Sequence, residues 1–430
     1  RDIASSYESL DKVPVSAITM GIADMMRAKR ITLIAWGEQK AESIKQMVEG
    51  SVTESAPASV LQTHPDADVY IDLAAASNLT RISQPWLVTN CEWTSKLIRR
   101  AIVWLCGIVN KPILKLTNKD YNDYGLSELI TLYGSAYNVN IKIFNDLQHT
   151  ITGWPGGKPN ADDSNRPERA KPYPKRVIIF SPHPDDDVIS MGGTFQRLVN
   201  QGHDVHVAYQ TSGNIAVGDE EVIRYLSVFK HLIREYDPDN KAALDKLSSI
   251  LHHLFHEKGS DDVDIPEVRF LKGRIRREEA RSADRYVGLP HSHVHFLDLP
   301  FYETGKVKKD PISEKDVVIV KNFIESIKPH QIYVAGDLAD PHGTHKVCLD
   351  AILAAIDLMK DDDWFKDCRI WMYRGAWMEW EIDHIEMAVP ISPEERNRAT
   401  ANMYDKLGLA SYEAIEAFVE YKPLRDNIEG

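Results

Sequence analysis

Cysteine is scarce in this chain: four in 430 residues, Cys91, Cys106, Cys348 and Cys368, with no C-x-x-C spacing. That excludes a disulfide framework and a cysteine-based zinc module, and it suits the reduced thiols of a cytoplasm. A long hydrophobic run is also missing. The most apolar stretch, residues 101–109, is about half the ~20 residues that a bilayer helix needs, and Lys111-Pro112 follow it. It reads as a buried helix, and no membrane partner is expected. Basic excess is absent too: 51 Lys and Arg against 64 Asp and Glu leave a net charge of -13, which argues against a nucleic-acid partner. No secretory leader is visible, and no internal repeat.

What remains is ordinary globular composition, 43% hydrophobic and 27% charged, in a chain long enough for two or more domains. The most informative segment is Pro182-His-Pro-Asp-Asp-Asp-Val-Ile-Ser-Met-Gly-Gly-Thr194. It follows the apolar run 176–180 and opens into a helical pattern, so a strand, a tight loop and a helix place an imidazole and three carboxylates at the carboxyl edge of a sheet. Open α/β sheets bind ligands at that edge. His183 and Asp186 can reach one cation, and Asp185 between them can act as a base. Gly192 and Gly193 are expected to let the helix begin close beneath the loop. Catalytic zinc sites commonly use three N or O ligands with a position left for water. Coordination lowers the pKa of that water to ~7, and a neighbouring carboxylate can take its proton.

The third ligand is sought in Gly336-Asp-Leu-Ala-Asp-Pro-His-Gly-Thr-His345, which again follows an apolar run (331–335) and precedes a helical stretch. Two such corners on a parallel sheet can face one another, so His345 could complete a His183–Asp186–His345 triad. His342 could point at the same cavity and steady an oxyanion or protonate a leaving amine.

On these residues, the stretch ~176–380 resembles the LmbE/PIG-L zinc-dependent N-acetylglucosaminyl deacetylases, whose signature is a His-Pro-Asp-Asp loop followed by Gly-Gly-Thr. The resemblance implies that His183, Asp186 and His345 bind the metal, that Asp185 is the general base and that His342 stabilises the transition state. Thr344 stands where the family usually has an aspartate. Arg276 and Glu279 fit the family's helix bordering the substrate pocket, which makes Arg276 a substrate-binding candidate. The implied cofactor is Zn2+, with other divalent ions left open, and the implied partner is a small amino sugar.

A second resemblance occupies the start of the chain. Residues 12–21, 31–40, 48–50 and 57–65 look like the C-terminal half of glucosamine-6-phosphate deaminase. Ile31–Trp36 reads as a buried strand and Gly37 as the turn into helix 41–47. Lys40 then sits at a helix start, where backbone N–H groups favour phosphate; in the deaminases the matching lysine holds the sugar phosphate. The deaminase's catalytic residues belong to its N-terminal half. A chain starting at Arg1 without Met is therefore expected to be the tail of a longer polypeptide, with no deamination by this piece alone.

The fold expected is α/β: a Rossmann-like parallel sheet deacetylase domain (175–430), preceded by a truncated α/β deaminase-like segment (1–76) and a helical connector (77–150), with a Pro/Gly-rich linker at 151–174. Trp93, Leu97, Trp104 and Ile108 mark the connector's helical face. Strands near 176–180, 204–210, 293–297, 331–335 and 369–373 alternate with helices, the pattern of a sheet covered on both faces. Residues 236–268 interrupt the alternation as a helical excursion. His252, His253 and His256 read as a helix face without a Glu-x-x-His pattern, and Asp361–Asp363 as a solvated turn. His291, His293 and His295 read as the edge of a core strand rather than as a metal site. Tyr302, Trp371, Tyr373, Trp377 and Trp380 suit either a sugar site or core packing.

The function expected is metal-dependent N-deacetylation of an N-acetylglucosamine derivative. Two rivals stand beside it: deamination by the full-length protein, and a non-catalytic sugar-binding module. A homo-oligomer is left open.

Overall fold

The computed structural model describes residues 16, 18–157, 171–259, 262–304, 309–338, 340, 342–392, 394 and 415–421. Residues 12–15 and 17 of the deaminase-like motif, 158–170 of the linker, and Ala339 and Pro341 of the second loop lie outside the described residues. Two compact units emerge.

The smaller unit covers residues 15–149 with 381–384. Its two-stranded parallel sheet pairs β1 (Ile31–Ala35) with β2 (Ala67–Ile71). Ile44, Met47 and Ala75 form the buried centre here, with Leu33, Val69 and Ile71 against it. Farther along, five helices between Thr80 and Gln148 enclose a separate cluster. Helix Ser95–Val109 buries Ile98, Ala101, Ile102 and Leu105. That corrects the expected face: Trp93, Leu97 and Trp104 only flank the cluster, and Ile108 is exposed. The apolar run 101–109 is thus part of a helix with one buried face, Gly107 and Ile108 being exposed, and no helix among the described residues is long and apolar enough to cross a membrane. The division at 76/77 is kept as a proposal, supported by these two separate apolar clusters.

The larger unit covers 150–380 with 385–430. Its seven-stranded sheet has the order β5-β4-β3-β6-β7-β9-β8. The first five strands in that order are parallel: β5 (Val294–Phe296), β4 (Asp204–Tyr209), β3 (Arg176–Ser181), β6 (Gln331–Ala335) and β7 (Arg369–Tyr373). This is the α/β parallel arrangement expected. Two further strands were not foreseen. β9 (Ile415–Tyr421) runs antiparallel between β7 and β8 (Met387–Pro390).

Both sheet faces are covered, which explains the unbroken apolar runs. Val177 and Ile179 of β3 pack with Val188, Phe195 and Leu198 of helix α1 (Asp186–Asn200) and Ala280 and Ala283 of helix α2 (Pro266–Val287). Ile178 and Phe180 face Val320 and Ile324 of helix α3 (Glu314–Ile327) and Ile352 of helix α4 (Thr344–Met359). The excursion at 236–268 contains helix Lys241–His252 and one π turn, His253–Glu257.

The chain proceeds from β3 outward to β4 and β5, then returns to β6 on the other side of β3. The sheet therefore has its topological switch between β3 and β6, where the loops leaving the two strands diverge and open a crevice. Both sequence motifs follow these strands.

Candidate metal centre

The first loop is tied down by its own side chains. The His183 N–H donates to Asp186 Oδ2 at 2.9 Å, and Thr211 Oγ1 donates to the Pro182 carbonyl at 2.8 Å. Gly213 lies beneath it with φ +64°; a Cβ there would stand 2.8 Å from Pro184 Cδ. Only glycine suits both the left-handed backbone and the close approach.

The Gly-Gly-Thr element acts differently from expectation. Helix α1 already begins at Asp186, and it breaks at Met191, where φ is -142° and ψ is 26°. The break frees the Gly193 and Thr194 N–H groups, which donate to the Glu416 carboxylate of β9 at 2.9 and 2.6 Å. A Cβ on Gly193 would lie 2.5 Å from Ile391 Cγ2. The glycine thus serves a buried capping contact rather than the helix start. Nothing local in the motif announces Glu416.

The second loop is organised by Asp340, whose carboxylate accepts the N–H groups of His342 at 2.8 Å and His345 at 3.1 Å. Asp337, 1% exposed, accepts the Trp377 and Met378 N–H groups. His345 Nδ1 stands 3.2 Å from the Asp337 carbonyl. A proton on Nδ1 satisfies that contact and turns Nε2 toward Asp186, the orienting device common around ligating histidines.

The two loops meet. His345 Nε2 and His183 Nδ1 each lie 3.2 Å from Asp186 Oδ2. The ligand atoms of the three side chains all fall within 4.8 Å of one another. Nitrogen and oxygen ligands about 2.0–2.1 Å from a tetrahedral zinc stand about 3.3 Å apart, so the donor set fits one divalent ion. Burial opposes charge on Asp186, yet His345 and His183 hold its carboxyl well below the usual range. His345 moves the other way: against burial, Asp186 and then Asp340 and Asp337 raise it to about 9.

Around the cluster, Arg276 is 5% exposed and bonds Asp185 Oδ2 at 3.0 Å and Glu279 Oε2 at 3.1 Å. The guanidinium therefore holds Asp185, a contact the sequence reading did not foresee for a substrate-binding candidate. The third carboxylate of the motif, Asp187, is fully buried, accepting from Ser181 Oγ at 3.2 Å and Tyr209 Oη at 3.1 Å. Tyr209 Oη also stands 3.1 Å from Asp284. Burial pushes Asp187 up to about 7, against the pull of those hydrogen bonds.

His342 is exposed on the second loop, and Thr344, where an aspartate was expected, is buried at the start of helix α4. Tyr302 stands edge-on to His183, ring centres 6.0 Å apart. Lys309, overlooked in the sequence, lies 3.7 Å from the Tyr302 ring centre, and burial lowers it to about 8. A cavity of about 470 Å³ is lined by Gly273, Arg274 and Arg277 of the helix that carries Arg276, together with Ser212 and Glu303. Lys40 is not among these groups: it belongs to the other unit, exposed at the start of helix Ala41–Glu49.

Comparison with known proteins accords with the two resemblances. The family described as PIG-L, GlcNAc-PI de-N-acetylase, matches residues 178–356. A putative glucosamine-6-phosphate deaminase-like protein of Bacteroides thetaiotaomicron is 60% identical over 454 residues, 97% of this chain and 68% of the relative. Glucosamine-6-phosphate deaminase of Lactobacillus helveticus is 55% identical over 73 residues, 17% of this chain; the match spans 30% of that enzyme. Among solved structures, the N,N'-diacetylchitobiose deacetylase of Pyrococcus horikoshii aligns with 59% of this chain and 88% of its own, at 14% identity and a TM-score of 0.35.

Proposed function

Because this chain belongs to the family of glucosamine-6-phosphate deaminase-like proteins and carries a PIG-L match at 178–356, we propose that it hydrolyses the N-acetyl group of an amino sugar, an N-acetylglucosamine derivative. The single observation that carries this reading is the convergence of His183, Asp186 and His345 from two loops on one crevice, with Asp185 beside them. His183, Asp186 and His345 would hold the ion. A divalent ion there, zinc by the nature of the donors, supplies Lewis acidity toward an amide carbonyl and toward water.

The chain's own groups do the rest. Asp185 accepts the proton of the attacking water and later delivers it to the departing amine. Arg276 keeps the Asp185 carboxylate in one place through the 3.0 Å ion pair. His342, on the second loop, hydrogen-bonds the oxygen that gains charge as the amide carbon becomes tetrahedral. The arginine-lined cavity beside Arg276 offers space for the sugar.

The test is acetate release from a panel of N-acetyl hexosamines by wild type and Asp185→Asn. The variant is expected to keep its metal and lose activity by roughly 10²–10⁴-fold, the usual worth of a general base. Unchanged release at intact metal content rules out this mechanism. No release by wild type from any member of the panel favours a sugar-binding module instead.

A second reading is favoured by the deaminase matches, which cover 17–18% of this chain. The full-length protein would then also deaminate glucosamine 6-phosphate, with Lys40 at its helix start contacting the phosphate. Deacetylation yields the free amine that such a reaction consumes. Ammonia release, measured on this chain and on a longer polypeptide, separates the two: this chain alone is expected to release none.

A further inference from the structure

The alternating histidines His293 and His295, read from sequence as the edge of a core strand, are joined in the fold by two residues far away in the chain. β4 and β5 pair in parallel with Val207 opposite Val294 and Ala208 opposite His295. Continuing that register by one residue sets His206 opposite His293, and Asp204 lies two residues earlier on the same face of β4. His206 Nε2 is 3.4 Å from Asp204 Oδ1, and His293 Nδ1 is 3.6 Å from the same oxygen. The His206 and His293 rings are stacked with centres 4.2 Å apart and planes at 17°. One ligand atom from each of the three side chains falls within 4.8 Å of the others.

From this juxtaposition we propose a second metal site, in which Asp204, His206 and His293 bind a divalent transition ion across the β4–β5 edge of the sheet.

An outer shell supports the site. His206 Nδ1 and His295 Nε2 are 3.0 Å apart, so one of them carries the proton between them. With that proton on His206 Nδ1, its Nε2 lone pair is left on the Asp204 side. His295 is wedged against Phe323, ring centres 4.8 Å apart, which fixes the arrangement. His293 Nδ1, the ring nitrogen 3.6 Å from Asp204 Oδ1, also lies 3.0 Å from the Val205 carbonyl, so it ligates an ion once its ring turns from that carbonyl. An imidazole oriented through its other ring nitrogen, as His206 is by His295, is what metal centres require of their surroundings.

Two imidazoles and a carboxylate suit Zn2+, Ni2+ or Cu2+ rather than Mg2+ or Ca2+. All three residues are only half-buried, so water can complete the coordination.

The site is separate from the crevice. Asp204 opens β4 and pairs with Arg176, whereas the first loop follows Ser181 at the other end of β3. Five residue steps of strand, about 16 Å, lie between these two ends. An ion here would clamp β5 onto β4. β5 is the outermost strand on that side, where pairing is weakest.

The test uses the full chain, stripped with chelator, dialysed against Zn2+ and analysed for bound metal, with the melting temperature recorded with and without zinc. Two ions per chain are expected for wild type, and one for His293→Gln and for Asp204→Asn, which keep acetate release. One is also expected for Asp186→Asn, which loses it. His295→Gln should still reach two ions, with about tenfold to 100-fold weaker zinc binding at one of them. Matching melting temperatures of the stripped proteins show that the variants fold. The proposal is overturned if His293→Gln and Asp204→Asn both still bind two ions. It is equally overturned if wild type binds none, or binds a single ion that only Asp186→Asn abolishes. A single ion lost in His293→Gln but retained in Asp186→Asn upholds this site and sinks the crevice reading instead.

Discussion

Asp186 is the residue on which the crevice turns, because one of its oxygens faces both imidazoles at 3.2 Å. Its neighbours were legible in sequence for a local reason: His183, Asp185 and Asp186 share one short motif after an apolar run, and His345 ends a second motif of the same kind. What fixes them in place was not legible. Asp340 reaches the His345 N–H five residues on, and Arg276 reaches Asp185 from another helix; such partners leave no periodic trace. The Asp185–Arg276 pair leads to a prediction. Arg276→Lys keeps the charge but loses the fork that holds Asp185 and Glu279 together. We expect kcat to fall about tenfold with KM little changed, as for a group that positions the base rather than binds the sugar. A rise in KM at constant kcat would instead return Arg276 to substrate binding.

At the level of elements, β3 to β7 were readable because each is a short apolar run bounded by turns. β8 and β9 were not. β9 is Ile-Glu-Ala-Phe-Val-Glu-Tyr, whose charged residues argue for solvent, yet Glu416 is 2% exposed. Its carboxylate is there to take the N–H groups freed at the break in helix α1, a need visible only in three dimensions. Glu416→Ala leaves two buried donors bare, at a cost of about 3 kcal/mol. A urea titration should show the lower midpoint, with an unchanged midpoint contradicting the capping role.

The start of β3 carries a pH dependence. The Lys175 N–H donates to His203 Nδ1 at 3.1 Å, and the Arg176 N–H donates to His330 Nδ1 at 2.9 Å. Both rings must be neutral at Nδ1 to accept. Burial, reinforced by Lys175 for His203 and by Arg176 for His330, pushes each pKa down to about 4. In the unfolded chain a histidine titrates near 6.5, so the unfolded state binds more protons between those values. The stabilisation is full above pH ~6.5 and is lost as pH falls toward 4. The urea midpoint should therefore drop between pH 7 and 4.5, and drop less in a His203→Asn, His330→Asn double variant. Equal slopes for the two proteins would assign the acid sensitivity elsewhere.

On the scale of the whole molecule, sequence order conceals the feature that creates the site. β3 and β6 are separated by 149 residues between Ser181 and Gln331, and they become neighbours because the sheet reverses direction there. A parallel sheet was predictable from alternating strands and helices, but which strands would adjoin β3 was not. The same blindness applied to His206 and His293, which belong to different strands and meet only through β4–β5 pairing. Chain-wide charge behaves more simply: at -13, the surface as a whole offers no basic excess to a polyanion.

If three side chains from two distant loops grip one ion and deacetylation depends on it, activity must follow the metal. The most direct measurement follows acetate release from an N-acetylglucosamine substrate while zinc is returned to chelator-stripped protein. Stripped wild type should be inactive and regain its rate as zinc binds, whereas His345→Ala should bind one ion fewer and stay inactive at the same zinc concentration. Full activity in the stripped protein, or full recovery in His345→Ala, would contradict the account.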